Sequence, residues 1–208
     1  MWRSLQVTAS ALVISAAIGV PVGTWLALTR FRGQRLFNAL IYTGMGLPPV
    51  VVGLVVYLFL SNSGPFGDLS WLFTIKAMVV AQVIIATPLV VGVTMSSVRA
   101  VDPALQVQLR ALGATRGQAT TATLVEARFG VIVGLVAGFG SIISEVGAVM
   151  LVGGNIDGRT RVLTTAVVLE TRRGNFDVAL ALGIILLALS FVANLIMVLG
   201  QGKLAESS

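Results

Sequence analysis

Apolar residues in this chain gather into long blocks separated by polar links, at 5–28, 37–60, 75–98, 129–152 and 178–199. Neither the alternation of a half-buried strand nor the one-sided period of an amphipathic helix runs through them. Each block reaches the roughly 20 mostly apolar residues that a helix needs to cross a bilayer. The pattern predicts an all-α membrane protein with five transmembrane helices, forming a single domain over residues 1–208. Links between the first three blocks are short, whereas the connections at 99–128 and 153–177 are longer and hold most of the remaining charge. The first block continues to Leu28, past the roughly 7–15 apolar residues of a signal peptide. It therefore reads as a spanning helix, and a short amphipathic lead ahead of residue 1 is left open.

Composition agrees with the bilayer as solvent. Hydrophobic residues make up 56% of the chain and charged residues 11%, with a mean hydropathy of +0.97. A soluble domain carries about 25% charged residues, so too little polar surface exists here to cover a globule in water. The net charge of +6 does not indicate nucleic acid, because the basic residues sit in short stretches between apolar blocks, where they orient a membrane protein. Cysteine and histidine are both absent. That removes disulfides, thiolate sites, the commonest general base and the commonest metal ligand.

Arg30, Arg32 and Arg35 fill the first link, and Arg99, Arg110, Arg116 and Arg128 the third, while the link at 61–74 carries only Asp68. Basic loops stay in the cytoplasm, which predicts an outside N-terminus and a cytoplasmic C-terminus with Lys203. Arg159, Arg161, Arg172 and Arg173 would then lie outside, partly offset by Asp157, Glu170 and Asp177.

Gly130, Gly134 and Gly138 form two consecutive G-x-x-x-G steps, and Gly19 and Gly23 form another. Such spacing lets helices approach closely in lipid, with the partner either in the same chain or in a second copy. Pro21, Pro48-Pro49 and Pro88 interrupt three spans, as tolerated kinks or as shapers of a gate.

The connection at 99–128 has strong local signals. Asp102-Pro103 is a helix start, with Asp as cap and Pro at the first helical position. Leu105, Leu109 and Leu112 then lie on one apolar stripe. Gly113 ends that helix, and Thr115 caps a second one that runs into the fourth span. Simple helix connections take about 2–8 residues. This longer, bent elbow is built to fill a groove on something else.

Arg110-Ala-Leu112-Gly113-Ala114-Thr115, followed by Thr123-Leu-Val-Glu-Ala-Arg-Phe129, resembles the cytoplasmic loop of ABC importer permeases. In that family the loop carries the coupling helix that docks on the ATP-hydrolysing subunit. The resemblance implies a coupling role for Leu105, Leu109, Arg110, Leu112, Gly113, Ala114 and Thr115. Val107-Gln108-Leu109 departs from the family's Glu-Ala-Ala, and Leu124-Val125 from its Leu-Pro. Glu145-Val-Gly-Ala-Val-Met-Leu-Val-Gly-Gly-Asn155, Gly158-Arg-Thr-Arg-Val-Leu-Thr-Thr-Ala166 and Leu47-Pro-Pro-Val-Val-Val-Gly53 are similar to tungstate-type permeases, relatives of the molybdate and sulfate permeases. These stretches imply the type I permease fold, a homodimer in the cell membrane, two cytoplasmic ATPases and an extracytoplasmic oxyanion-binding protein.

The chain has no G-x-x-x-x-G-K-[ST] loop; its lysines are Lys76 and Lys203. ATP and Mg are therefore expected in a partner, with no cofactor and no catalysis in this chain. Glu145 is the one acid deep in a span, where a charge is functional by default. It has either a hydrogen-bonding or gating role, or a proton-linked or ligand role. Arg159 and Arg161 are candidates for meeting a tetrahedral dianion or an acidic docking surface, or simply cap a loop. Thr164 and Thr165 are candidates for a polar path. Arg172-Arg173 before Gly174 complements a helix C-terminus. The expected function is an ATP-driven permease for an oxyanion, tungstate first, with molybdate, sulfate or another small anion as the alternative. A stand-alone channel, a secondary carrier and a membrane scaffold are the readings of other classes.

Overall fold

The computed structural model describes residues 2–206, apart from the side chains of 198 and 200–206; Lys203, used above for orientation, lies outside the described side chains. Its helices are α1 (Trp2–Leu28), α2 (Gln34–Met45), α3 (Pro49–Leu60), α4 (Ile75–Ala100), α5 (Pro103–Ala111), α6 (Arg116–Glu126), α7 (Arg128–Ile143), α8 (Gly147–Gly153), α9 (Leu163–Arg172) and α10 (Phe176–Glu206). Only short 3₁₀ and turn segments join them, and no strand occurs among the described residues.

Three helices are long and apolar enough to cross a membrane: α1, α4 and the 176–197 part of α10. The count rises to five if α2 with α3, and α6 with α7, each make one bent span. Two of the expected spans are therefore broken, the first at the Pro48-Pro49 pair already noted in the sequence and the second without such a signal. The block at 37–60 bends by 101° between α2 and α3, because Pro48 adopts an extended conformation and Pro49 starts a new helix. The block at 129–152 stops being helical at residues 144–146 and resumes as α8. Pro21 and Pro88, by contrast, lie inside continuous helices and interrupt neither. A proline removes one donor and crowds one carbonyl, which a long packed helix accommodates.

α4 is the central post. Over half of its most apolar window is buried (56%), against none of that of α10 (0%). α1 runs parallel to it. Ser15 meets Val83 and Thr87 near the middle, and at one end Arg99 donates to the Leu26 carbonyl at 3.1 Å. The glycine stripes explain the closeness. On α1, a Cβ at Gly19 would strike Val90, and one at Gly23 would strike the Val91 carbonyl oxygen. On α7, Gly130, Gly134 and Gly138 face Ser97, Val93 and Val90. Both stripes thus serve contacts within the chain, and both converge on one stretch of α4. Small residues supply this packing where lipid removes the hydrophobic drive for association.

A third close approach sets α8 on α3, where a Cβ at Gly53 would lie 2.5 Å from the Ala148 Cα. Around it Val7, Val52, Val56, Met78, Ile142 and Val149 form the main core. Over 176–197 α10 is strongly apolar and leaves Leu180, Ile184, Leu187, Phe191 and Ile196 exposed. In a membrane protein such a surface faces lipid or another subunit.

Candidate functional site

At one end of α4 the chain forms the elbow. Asp102 accepts the Ala104 amide at 2.8 Å with Pro103 in the first turn, as its sequence indicated. Gly113 takes φ +92°, a left-handed conformation that costs a residue with a Cβ roughly 1–2 kcal/mol. α6 starts with a reciprocal cap: Thr115 Oγ1 accepts the Gln118 amide at 3.3 Å, and Gln118 Oε1 accepts the Thr115 amide at 2.8 Å. Gln106 ties the two arms together by donating to Thr123 Oγ1 at 3.2 Å. α6 does not run straight into α7 but turns by 64°, around Ala127.

The expected single leucine stripe divides. Leu105 and Leu109 are half-buried, whereas Leu112 lies beyond α5 as its C-cap and is 85% exposed. Arg110, Gly113 and Thr115 are exposed and Ala114 is half-buried. Leu105 instead lines a cleft of about 720 Å³ beneath the elbow, with Ser97, Asp102, Gln108, Glu126 and Gly130. The apex of the elbow therefore presents a large apolar side chain to whatever lies beyond the bundle.

The second constellation is the break in the fourth apolar block. Stopping a helix in an apolar setting leaves carbonyl and amide groups without partners. Here side chains from two other elements, and Glu145 of the break itself, supply them. Gln82 of α4 donates to the Ile142 carbonyl at 3.0 Å. Thr164 of α9 donates to the Glu145 carbonyl at 3.1 Å. The Glu145 carboxylate accepts the Ala148 amide at 3.0 Å and so caps α8. Ser4 of α1 accepts the Leu163 amide at 2.8 Å. Ser4, Thr8, Gln82, Glu145 and Thr164 line a small cavity of about 10 Å³, the size of one water.

The five residues proposed for a path or gate do not form one site. Glu145 and Thr164 meet at the break. Thr165 is fully buried and closes the first turn of α9, accepting the Val162 amide at 3.1 Å. It lines no path. Arg161 is ion-paired with Asp157 at 3.0 Å, while Arg159 lies apart in a pocket with Arg3 and Lys76. Sequence reading missed Gln82, although an amide inside a span is itself a signal. It also missed Arg3 and Lys76, which only the parallel alignment of α1 and α4 brings together. Arg172 and Arg173 end α9, as expected, with Arg173 on Glu170 at 2.9 Å. Hydrogen bonding from Asn175, then the nearby charge of Arg173, holds the Glu170 carboxyl below its ordinary value. No group of three metal-ligating residues occurs among the described residues.

The chain is thus a bundle of broken and continuous apolar helices with a capped elbow at one end. In a solved structure of the MetNI methionine ABC transporter, in an inward-facing conformation, a chain superposes on this fold with a TM-score of 0.72. The match covers 93% of this chain and 90% of that one at 19% identity. The family described as binding-protein-dependent transport system inner membrane component matches residues 19–204, and the chain belongs to it. It is thus a multi-pass membrane permease with the type I importer fold. A probable anion ABC transporter permease protein of Haloferax volcanii is 44% identical, over 92% of this chain and 84% of that protein. The tungstate uptake system permease protein TupB of Peptoclostridium acidaminophilum is 38% identical over 93% and 85%. The molybdenum transport system permease protein ModB of Escherichia coli is 30% identical over 93% and 88%.

Proposed function

We propose that this chain is the membrane-spanning subunit of an ATP-driven importer for a tetrahedral oxyanion, tungstate first. The observation that carries the coupling half is the elbow, with Leu112 85% exposed at its apex. An apolar side chain held on a doubly capped turn fits the cleft of a cytoplasmic ATPase, and such caps fix its geometry. The similarity to anion and tungstate permeases supports the choice of cargo.

In this reading two copies of the chain pair, each elbow engages one ATPase, and a binding protein delivers the anion at the opposite face. The elbow end carries Arg30, Arg32, Arg35, Arg99, Arg110 and Arg116 and faces the cytoplasm by the basic-loop rule. The N-terminus is then outside and the C-terminus inside. ATP binding draws the two ATPases together, the elbows follow, and the bundles change access. Glu145 takes a hydrogen-bonding or gating role, a reading supported by its bond to the Ala148 amide. Leu105, Leu109, Arg110, Leu112, Gly113, Ala114 and Thr115 act in coupling.

The test is reconstitution with a candidate ATPase and binding protein in proteoliposomes. ATP-dependent tungstate uptake is expected, lost when Leu112 is changed to Asp while the complex still assembles. Uptake without ATP or any partner would replace this reading with a stand-alone channel or carrier. Uptake of molybdate or sulfate in preference to tungstate would move the cargo within the same class.

A further inference from the structure

Arg3, Lys76 and Arg159 come from three distant parts of the sequence and line one pocket of about 340 Å³, together with Phe73, Thr74, Ile75 and Thr160. No acidic residue lines it. The nearest carboxylate in sequence, Asp157, is engaged by Arg161 at 3.0 Å. Arg3 makes a 3.3 Å hydrogen bond to Gln6, and Lys76 sits over the Trp71 ring, 5.3 Å from its centre. Neither contact neutralises a charge. Among the described residues, none of the three cations has an ion pair.

Arg3, Lys76 and Arg159 are all exposed, so water screens their mutual repulsion, while an anion joining them would meet three cationic donors and no competing carboxylate in the pocket lining. The backbone adds to the same field. The pocket includes the first residues of α4, a helix of 26 residues whose N-cap Thr74 makes no side-chain cap. The Thr74 hydroxyl instead donates to the Trp71 carbonyl at 2.5 Å. The first turn of α4 thus has no side-chain cap, and the positive end of its dipole lies at the pocket. The pocket lies at the end of α1 and α4 opposite the elbow, since Arg99 and Leu26 meet at the elbow end.

We propose that Arg3, Lys76 and Arg159 form a binding site for a tetrahedral oxyanion at the face opposite the elbow. Two sources share that chemistry: the free transported anion waiting at the entrance, and the phosphate of a lipid headgroup at the membrane surface. Only the choice of tungstate as the free anion rests on the importer reading; the site itself rests on the charges.

The experiment uses the full chain in nanodiscs of phosphatidylcholine alone, or of phosphatidylcholine with phosphatidylglycerol. Tungstate binding is measured by equilibrium dialysis, and retained lipid by native mass spectrometry. Lys76→Gln and Arg159→Gln are expected to weaken binding about tenfold each. Lys76→Arg should restore it, which separates loss of charge from loss of fold. Arg32→Gln, at the elbow end, should leave it unchanged. Tungstate binding in phosphatidylcholine alone, lost in the Gln variants, assigns the site to the free anion. Phosphatidylglycerol retention lost in the same variants, with no tungstate binding, assigns it to the headgroup. Equal binding of both ligands by wild type and the Gln variants, or binding of neither by the wild type, overturns the site. ATP-dependent uptake by the reconstituted wild type, measured alongside, would keep the importer reading intact in that case.

Discussion

The side-chain amide of Gln82 donates to the main-chain carbonyl of Ile142 at 3.0 Å, joining residues 60 apart in sequence. It ties the central helix α4 to the place where α7 stops. A buried acceptor left without its donor costs about 1–3 kcal/mol. Gln82→Leu should lower the melting temperature of the purified chain in detergent and increase proteolysis near 143–147. An unchanged melting temperature would show that the Ile142 carbonyl finds another donor.

Glu145 and Ala148 make the matching contact on the far side of the break, at 3.0 Å. A glutamine in place of Glu145 would keep an oxygen able to accept that amide, whereas a leucine would not. Glu145→Gln should retain uptake, and Glu145→Leu should lose it, together with about 1 kcal/mol of stability. Loss of uptake in the Gln variant, with stability intact, would reassign the carboxylate to proton or ligand chemistry.

Gly53 has no room for a methyl group, because the Ala148 backbone stands 2.5 Å from where it would be. Gly53→Ala is expected to cost about 1–3 kcal/mol through overpacking. Gly183, with nothing within 4 Å, gives the contrast: Gly183→Ala should be neutral or stabilising by roughly 0.5–1 kcal/mol. Thermal unfolding of both variants checks the pair.

Gly113 also has open space around it, so its constraint is the backbone angle of +92°. Gly113→Asn should keep the elbow, since Asn tolerates the left-handed region. Gly113→Val should lose uptake and ATPase association without lowering expression. Equal behaviour of the two variants in a pull-down with the ATPase would sink the coupling assignment.

Glu170 titrates low because Asn175 donates to it at 2.7 Å, with Arg173 beside it. A lowered folded-state value means the contribution is present above the usual carboxylate range and lost as pH falls through the folded value. The amides of the turn after α9 should therefore lose protection, relative to their intrinsic exchange rates, as pH falls below the ordinary carboxylate range. Glu170→Gln should remove that pH dependence.

The caps and the turn of the elbow were legible in the sequence. Asp102, Pro103, Gly113 and Thr115 act on neighbours a few residues away, so their caps and turn follow from residue type alone. The same holds for the apolar blocks, because a bilayer selects on length and composition. The family resemblance rested on such contiguous stretches. Three things required the tertiary structure. The G-x-x-x-G spacing announced close packing, but only the parallel run of α1 beside α4 decided that both stripes meet one segment, Val90 to Ser97. The fourth block looked continuous because every residue in it except Glu145 and two serines is apolar or glycine. Its break stands because Gln82 and Thr164, from other elements, satisfy the exposed carbonyls. Arg3, Lys76 and Arg159 share a pocket for the same reason, since convergence of distant charges depends on helix direction and register, which no local pattern encodes.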